Sequence, residues 1–302
     1  MIVEHGGNIR DFSLSRGLNP DDALDLSASL HPCAPQITNI LLDRLRSVRN
    51  YPDSRAATGF LADAIGVDPE RLLLTNGGSE AIALVADVLV EGNVVAPEFS
   101  LYQRHLKRVE ETAPRWRSNP NNPLGTLAEP SEQAAVWDEA FYPIATGQFT
   151  RGDEQSWRIG SMTKIWACAG LRLGYVVTPD AQSCRVLASR QPRWSVNGLA
   201  LAIVEPMLEK TNLRVMKDQL EVLRTSLFLL LQEKGIAVQM TDANWLLVHN
   251  GARLYEHLAN QNIFIRNCAS FGLENTYRIA VPAKPFIEEV KNALIDFEVE
   301  DE

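Results

Sequence analysis

The sequence predicts an α/β protein with a mainly parallel central sheet, followed by a smaller α+β unit. Three observations predict it. From Leu72 onward, short apolar runs alternate with helical stretches. Past Pro192 the alternation gives way to a long amphipathic helical region, from about Val196 to Glu233. After Gly235, short strands and helices of mixed order fill the tail.

The elements follow in order. Leu72–Leu74 reads as a strand and Ser79–Val90 as a helix, with the Gly77-Gly78 turn between them. Val94–Ala96 reads as a strand and Tyr102–Val109 as a helix. Val136–Trp137, Trp157–Ile159 and Leu173–Val177 are further strands. The long helical region breaks near Lys210–Asn212. Strands then fall at Ile236–Met240, Trp245–Val248, Ile263–Arg266 and Tyr277–Val281, and helices at Ala252–Asn260 and Pro285–Phe297. The large unit is expected over residues 45–195 and the small one over 196–302, with the boundary in the long helical region.

A chain of 302 residues can bury two such cores. Hydrophobic residues at 45% and charged residues at 22% are ordinary for a soluble globular protein. The 38 acidic and 29 basic residues leave a net charge of -9, which repels nucleic-acid backbones. A small anionic substrate needs only a few local arginines, so it stays open. The four cysteines form no C-x-x-C pair and no zinc-like cluster, and read as reduced thiols. The N-terminal stretch MIVEHGGNIRDF lacks an apolar signal region. The longest apolar stretch, about Ala81 to Val90, falls well short of the roughly 20 residues that span a bilayer. A cytoplasmic protein with no membrane, nucleic-acid or metal partner is expected.

Four motifs carry chemistry. In Ser161-Met162-Thr163-Lys164, two hydroxyls precede a lysine, and Arg172 follows within Gly170-Leu171-Arg172-Leu173-Gly174-Tyr175. A lone lysine there would read as a surface residue. The set instead supplies an amine to condense with an aldehyde, and hydroxyls and a guanidinium to hold a phosphate. Desolvation beside a cation lowers the amine's pKa and helps it attack a carbonyl. Thr75-Asn76-Gly77-Gly78-Ser79-Glu80 joins a strand to a helix, where backbone N–H groups of Gly78 and Ser79 can meet a phosphate. It is neither a Walker loop nor a dinucleotide turn, and its bland reading is a helix cap. Asp138 ends the apolar run Ala135-Val136-Trp137, where a carboxylate needs a cation such as a protonated ring nitrogen. A loop salt bridge is the plainer alternative. Ser118-Asn119-Pro120-Asn121-Asn122-Pro123-Leu124-Gly125 is dense in turn formers, and its Asn122 amide can serve a ring hydroxyl. Amine, phosphate cradle, ring-nitrogen carboxylate and ring-hydroxyl amide together describe a site for pyridoxal phosphate (PLP).

With these motifs the chain resembles the fold-type I PLP enzymes of the class I/II aminotransferase group, from His5 to about Pro282. Within that group it is similar to the threonine-phosphate decarboxylases of cobalamin biosynthesis and to their cousins, the histidinol-phosphate aminotransferases. The resemblance implies that Lys164 links the cofactor covalently, Asp138 pairs with the ring nitrogen and Asn122 contacts the ring hydroxyl. It places Gly78, Ser79, Ser161 and Arg172 on the phosphate. It has Tyr102, in Pro97-Glu98-Phe99-Ser100-Leu101-Tyr102, stack on the ring face. Tyr51, in Asn50-Tyr51-Pro52-Asp53, would reach the phosphate of a neighbouring subunit, implying a homodimer. Residues 1–44 would form an arm packed on the small domain. His5 and Gly6 at the N-terminus, with Arg266 and Arg278, would bind a small phosphorylated amino acid, and the implied activity is decarboxylation, with transamination as the alternative. A degenerate, non-catalytic binding protein is a third possibility. Arg278 lies between apolar neighbours in its strand and is expected to turn from the core toward a cleft or solvent. Two departures stand out. Ser29 occupies a substrate-contact position where the family usually has asparagine, and the segments between Tyr102 and Pro120 and between Gly125 and Asp138 are shortened.

Overall fold

The computed structural model describes residues 6–298. Twelve strands lie among the described residues: β1 (Leu24–Leu26), β2 (Leu72–Asn76), β3 (Glu91–Val94), β4 (Arg108–Val109), β5 (Arg115–Ser118), β6 (Val136–Asp138), β7 (Trp157–Ser161), β8 (Leu173–Val177), β9 (Val238–Gln239), β10 (Trp245–His249), β11 (Ile263–Asn267) and β12 (Thr276–Ala280). They form two sheets, one of seven strands in the order β2-β8-β7-β6-β5-β3-β4 and one of five in the order β1-β11-β12-β10-β9.

In the large sheet β4, β3, β5, β6 and β7 run parallel, while β8 is antiparallel to both β7 and β2. This topology positions the site. The carboxyl ends of β5, β6 and β7 and of β2 share one edge, where β8 begins. The register sets Asn76 against Leu173, Ser161 against Gly174 and Ser118 against Asp138. The central strands are buried on both faces, so β6, β7 and β8 are buried at every position rather than at alternate ones, Arg158 of β7 and Asp138 of β6 included.

The smaller sheet joins distant parts of the chain. β1 runs parallel to β11, and β12 is antiparallel to β11 and β10. The N-terminal segment is thereby drawn beside the C-terminal strands. The helical region divides into Gly198–Ala202, Val204–Lys210 and Leu213–Glu233, with a break at Thr211–Asn212 where Asn212 caps the last helix through Val215 N–H. One apolar cluster, including Trp166, Leu227 and Trp245, runs through the small sheet and one face of the large one, and a second, around Val85 and Trp116, covers the other face. Among the described residues no helix is long and apolar enough to cross a membrane.

Several elements depart from expectation: β1 was not anticipated, and β3 lies at Glu91–Val94 rather than Val94–Ala96. The helix expected over Tyr102–Val109 stops at His105, and Arg108–Val109 becomes an edge strand on β3. Strand β5 has no counterpart in the sequence reading, because arginines alternate with its buried positions. Arg115 and Arg117 are tolerated there because both pair with Glu132, at 3.3 and 2.5 Å.

Candidate active site

The phosphate cradle is built from glycines. Gly77 (φ +76°) opens the helix Gly77–Leu89, a conformation that L side chains rarely adopt. A Cβ on Gly77 would lie 2.3 Å from Arg172 Nη2, and one on Gly174 would strike the Gly77 carbonyl carbon at 2.5 Å. Their missing side chains let the Arg172 guanidinium lie against the helix N-terminus. Ser79 is exposed in that first turn, and Ser161 lies beneath Gly78. Ser161 shares a 2.7 Å hydrogen bond with Thr163. The N–H groups of the helix's first turn, its positive end and a guanidinium converge on one spot, which is what a phosphate needs.

Lys164 sits in the short helix Met162–Ile165 just past β7. Its Nζ donates to the Ala28 carbonyl at 2.7 Å and lies 5.5 Å from the Phe141 ring centre. Burial, then the charges of Arg278 and Arg172, lower its pKa from the usual 10.5 to about 8. Asp138 ends β6 and is buried. It accepts from the Tyr102 hydroxyl at 2.8 Å and from Ala140 N–H at 3.0 Å. Burial raises its pKa, opposed by the Tyr102 and Ala140 hydrogen bonds and the Lys164 charge.

Asn122 leads to the second sheet. Its N–H donates to Ser118 Oγ at 2.8 Å, and its Oδ1 accepts from Arg278 Nη1. The other arm of Arg278 donates to Ser29 Oγ at 3.3 Å, and its guanidinium lies 4.4 Å from the Trp245 ring centre. Ser29 holds a left-handed backbone (φ +50°), and Asn244 Nδ2 donates to its carbonyl at 2.9 Å. Arg266 is directly across from Arg278 in the β11–β12 register, so both point to one face. It donates to Ser270 Oγ at 2.7 Å.

Lys164, Asp138, Asn122, Ser29, Arg172 and Arg278 are therefore brought together at the junction of the two sheets. Of the two directions expected for Arg278, a cleft or solvent, the structure takes the cleft: Arg278 is only 6% exposed, covered by Trp245, and Arg266 is 4% exposed. Burial lowers the Arg278 pKa to about 10. The stacking role of Tyr102 is corrected. Its ring is 0% exposed and its hydroxyl is spent on Asp138, so it presents no face to a bound ring. Phe99, edge-on to Tyr102 at 5.9 Å, is the aromatic side chain of that segment that keeps some surface. Tyr51 lies apart from the cluster, 79% exposed, with its ring 4.5 Å from that of Trp194. Gly6 packs on Ser27, where a Cβ would meet its carbonyl oxygen at 2.4 Å, and His5 lies outside the described residues.

The sequence reading missed Phe141 and Trp245, the rings that face Lys164 and Arg278. Phe141 sits inside the Asp138-Glu139-Ala140-Phe141 motif, so its place was available. Trp245 gives no local signal, since only the β10–β12 pairing brings it against Arg278.

One feature of this structure fits PLP, and a second fits an anionic substrate beside it. The Gly77–Gly174 approach leaves a cradle that any side chain would fill. Among the described residues Nε of Arg278, with no exposed surface, has no hydrogen-bond partner, so its fork has a donor left for an anion. When bound, the cofactor supplies an electron sink for bonds broken at a substrate α-carbon.

Comparison with known proteins agrees with this geometry. Residues 116–296 match the family described as aminotransferase class I and II. Threonine-phosphate decarboxylase of Salmonella typhimurium is 29% identical, with 92% of each chain covered. A histidinol-phosphate aminotransferase of a Geobacillus species is 22% identical over 96% of this chain and 93% of its own. The crystal structure of histidinol-phosphate aminotransferase from Sinorhizobium meliloti in complex with pyridoxal-5'-phosphate superposes with a TM-score of 0.80 at 16% identity, covering 95% of this chain and 93% of that one. That likeness establishes the fold. The motifs, the cradle and the family match lead to one conclusion: the chain belongs to the aminotransferase class I and II family, and is a fold-type I PLP-dependent enzyme.

Proposed function

We propose that the enzyme transaminates a small phosphorylated amino compound of the histidinol-phosphate kind. In this reading Lys164 carries the cofactor. Asp138 meets its ring nitrogen and Asn122 its ring hydroxyl. Gly78, Ser79, Ser161 and Arg172 take its phosphate, and Phe99 replaces Tyr102 at the ring face. Arg278, Ser29 and Arg266, with Gly6 and His5 from the N-terminal segment, form the substrate side.

The observation that carries the choice is the hydrogen bond between Arg278 and Asn122. It ties the guanidinium to the residue assigned to the ring hydroxyl, and so to the edge of the ring rather than its face. An amino donor's carboxylate gripped there, such as glutamate's (histidinol phosphate has none), would leave that donor's Cα–H bond to be broken. Lys164 Nζ, with a pKa of about 8, is then matched to taking that proton near neutral pH. Relatives named histidinol-phosphate aminotransferases support the same choice. Decarboxylation of O-phospho-L-threonine is the second reading. It is favoured by the 29% identity to threonine-phosphate decarboxylase and by the cross-strand Arg266–Arg278 pair, which suits a phosphate plus a carboxylate.

Product analysis separates the two. Histidinol phosphate with 2-oxoglutarate is expected to give glutamate, and O-phospho-L-threonine no CO2. CO2 from the second without glutamate from the first reverses the assignment, and silence in both rejects each.

The enzyme is further proposed to act as a homodimer. Leu42, Leu45, Val48 and Tyr51, close together in the chain, and Trp194, whose ring packs on Tyr51, are all at least half exposed, apolar surface that a second copy would cover. Light scattering at micromolar concentration should return twice the 33.6 kDa chain mass. A monomer that binds PLP fully would remove Tyr51 from the phosphate site.

A further inference from the structure

We infer that Tyr102 is a positioning residue that holds Asp138 in place and ionised for the cofactor's ring nitrogen. The inference rests on the proposed role of Asp138. Asp138 is enclosed at the end of β6, where a carboxylate favours its neutral form. A neutral carboxyl could not pair with a protonated ring nitrogen. Two donors oppose this from within the protein: Ala140 N–H on Oδ1 and the Tyr102 hydroxyl on Oδ2. Each carboxylate oxygen has a second lone pair, so an outward-facing partner can still be served.

The phenol suits the task because it remains a donor. Burial, with the nearby Asp138 and Glu98 charges, pushes its own pKa well above the ordinary tyrosine value. Its ring is also locked, by Phe99 at 5.9 Å and Trp116 at 5.6 Å between ring centres. The hydroxyl is therefore delivered from a fixed point, and its orientation costs little on binding. Nearby, the buried Glu98 carboxylate accepts from the Ser118 hydroxyl and from Ser118 N–H at 3.2 Å, while Ser118 Oγ accepts from Asn122 N–H. The segment Pro97–Tyr102 thus supports both residues assigned to the ring, Asp138 through Tyr102 and Asn122 through Ser118.

The test is a double-mutant cycle read on cofactor binding. Tyr102→Phe keeps the ring packing and removes only the hydroxyl. The PLP dissociation constant should rise about tenfold, as expected for losing one hydrogen bond to an ionised group. The pH titration of the bound cofactor's visible band should move toward that of Asp138→Asn. Asp138→Asn alone should raise the dissociation constant further. Adding Tyr102→Phe to Asp138→Asn should change it less than twofold. A tenfold loss that persists in the Asp138→Asn background marks a packing effect and overturns the inference. An unchanged dissociation constant and titration in Tyr102→Phe, with Asp138→Asn impaired, overturns it while leaving Asp138 at the ring nitrogen. An Asp138→Asn variant with wild-type affinity and spectrum removes the Asp138 reading and this inference together.

Discussion

Lys164→Ala is expected to abolish the borohydride-reducible link to PLP and to lower kcat by about 10³-fold or more, since on the proposed roles both the attachment point and the proton carrier would be lost. PLP should still bind non-covalently, because Arg172, Ser161 and the Gly77–Leu89 helix end do not depend on the amine. Absorbance before and after borohydride, followed by peptide mapping, checks this. A reducible link in the alanine variant would place the reactive lysine elsewhere. The lowered pKa adds a pH signature to the wild type. At pH 7 a group with a pKa of about 8 is roughly one-tenth neutral, against fewer than about one in a thousand for an ordinary lysine. The rate of linkage to added PLP should rise about tenfold from pH 6 to 7 and level off above 8.

The same shift bears on folding. The folded pKa of Lys164 is below its unfolded value, so between about pH 8 and 10.5 the unfolded chain binds more protons. Apo-protein stability should therefore rise with pH through that window, and the cost is fully present below it. At pH 7 the cost is roughly 3 kcal/mol. Lys164→Met, which removes the buried charge and keeps the volume, should raise the apo melting temperature at pH 7. A lower melting temperature would mean that the Ala28 hydrogen bond outweighs desolvation. A stabilising substitution that removes activity marks a residue kept for chemistry rather than for the fold.

How much of this was legible depended on whether the signal was local. β2, β6 and β8 carry short buried apolar runs, and β7 sets Trp157 and Ile159 on either side of Arg158; all four were readable as strands. The strand-to-loop junctions carrying Gly78, Asp138, Ser161 and Lys164 followed from them, because parallel strands deliver such junctions to one edge. β5 was hidden, since Arg-Trp-Arg-Ser reads as polar until Glu132 is seen to neutralise both arginines. The burial of Arg278 was hidden for a related reason. Its apolar neighbours suggested an outward side chain, but the outward face is covered by Trp245 and by the segment around Ser29. Tyr102 failed differently. Motif position suggested a stacked ring, whereas the pairing of β5 with β6 and the short helix Leu101–His105 place its hydroxyl on Asp138. Side-chain direction at a helix start is set by what the helix packs on, and no single sequence states that.

Arg278→Ala is expected to raise KM for a carboxylate-bearing amino donor by one to two orders of magnitude. A charge-assisted hydrogen bond to an ionised partner is worth about 1.5–3 kcal/mol, and tenfold in affinity corresponds to about 1.4 kcal/mol. The enclosure of this guanidinium by Trp245 and Ser29 puts the effect at the upper end, because little water is present to screen it. Arg278→Lys should rescue little. An ammonium keeps the charge but cannot reach Asn122, Ser29 and an anion through one planar fork. The covalent PLP link should survive in both variants, since Lys164 and the cradle around Arg172 are separate from Arg278. Arg266 serves as the contrast. If it reads phosphate, wild type should lose affinity for a substrate analogue without the phosphate, while Arg266→Ala should bind both forms about equally. KM values for phosphorylated and unphosphorylated substrates in wild type and the three variants decide the matter. A wild-type KM in Arg278→Ala would take the carboxylate away from Arg278. Equal phosphate discrimination by wild type and Arg266→Ala would move the phosphate-binding group to another side chain and leave the cross-strand arginine pair with a purely structural role.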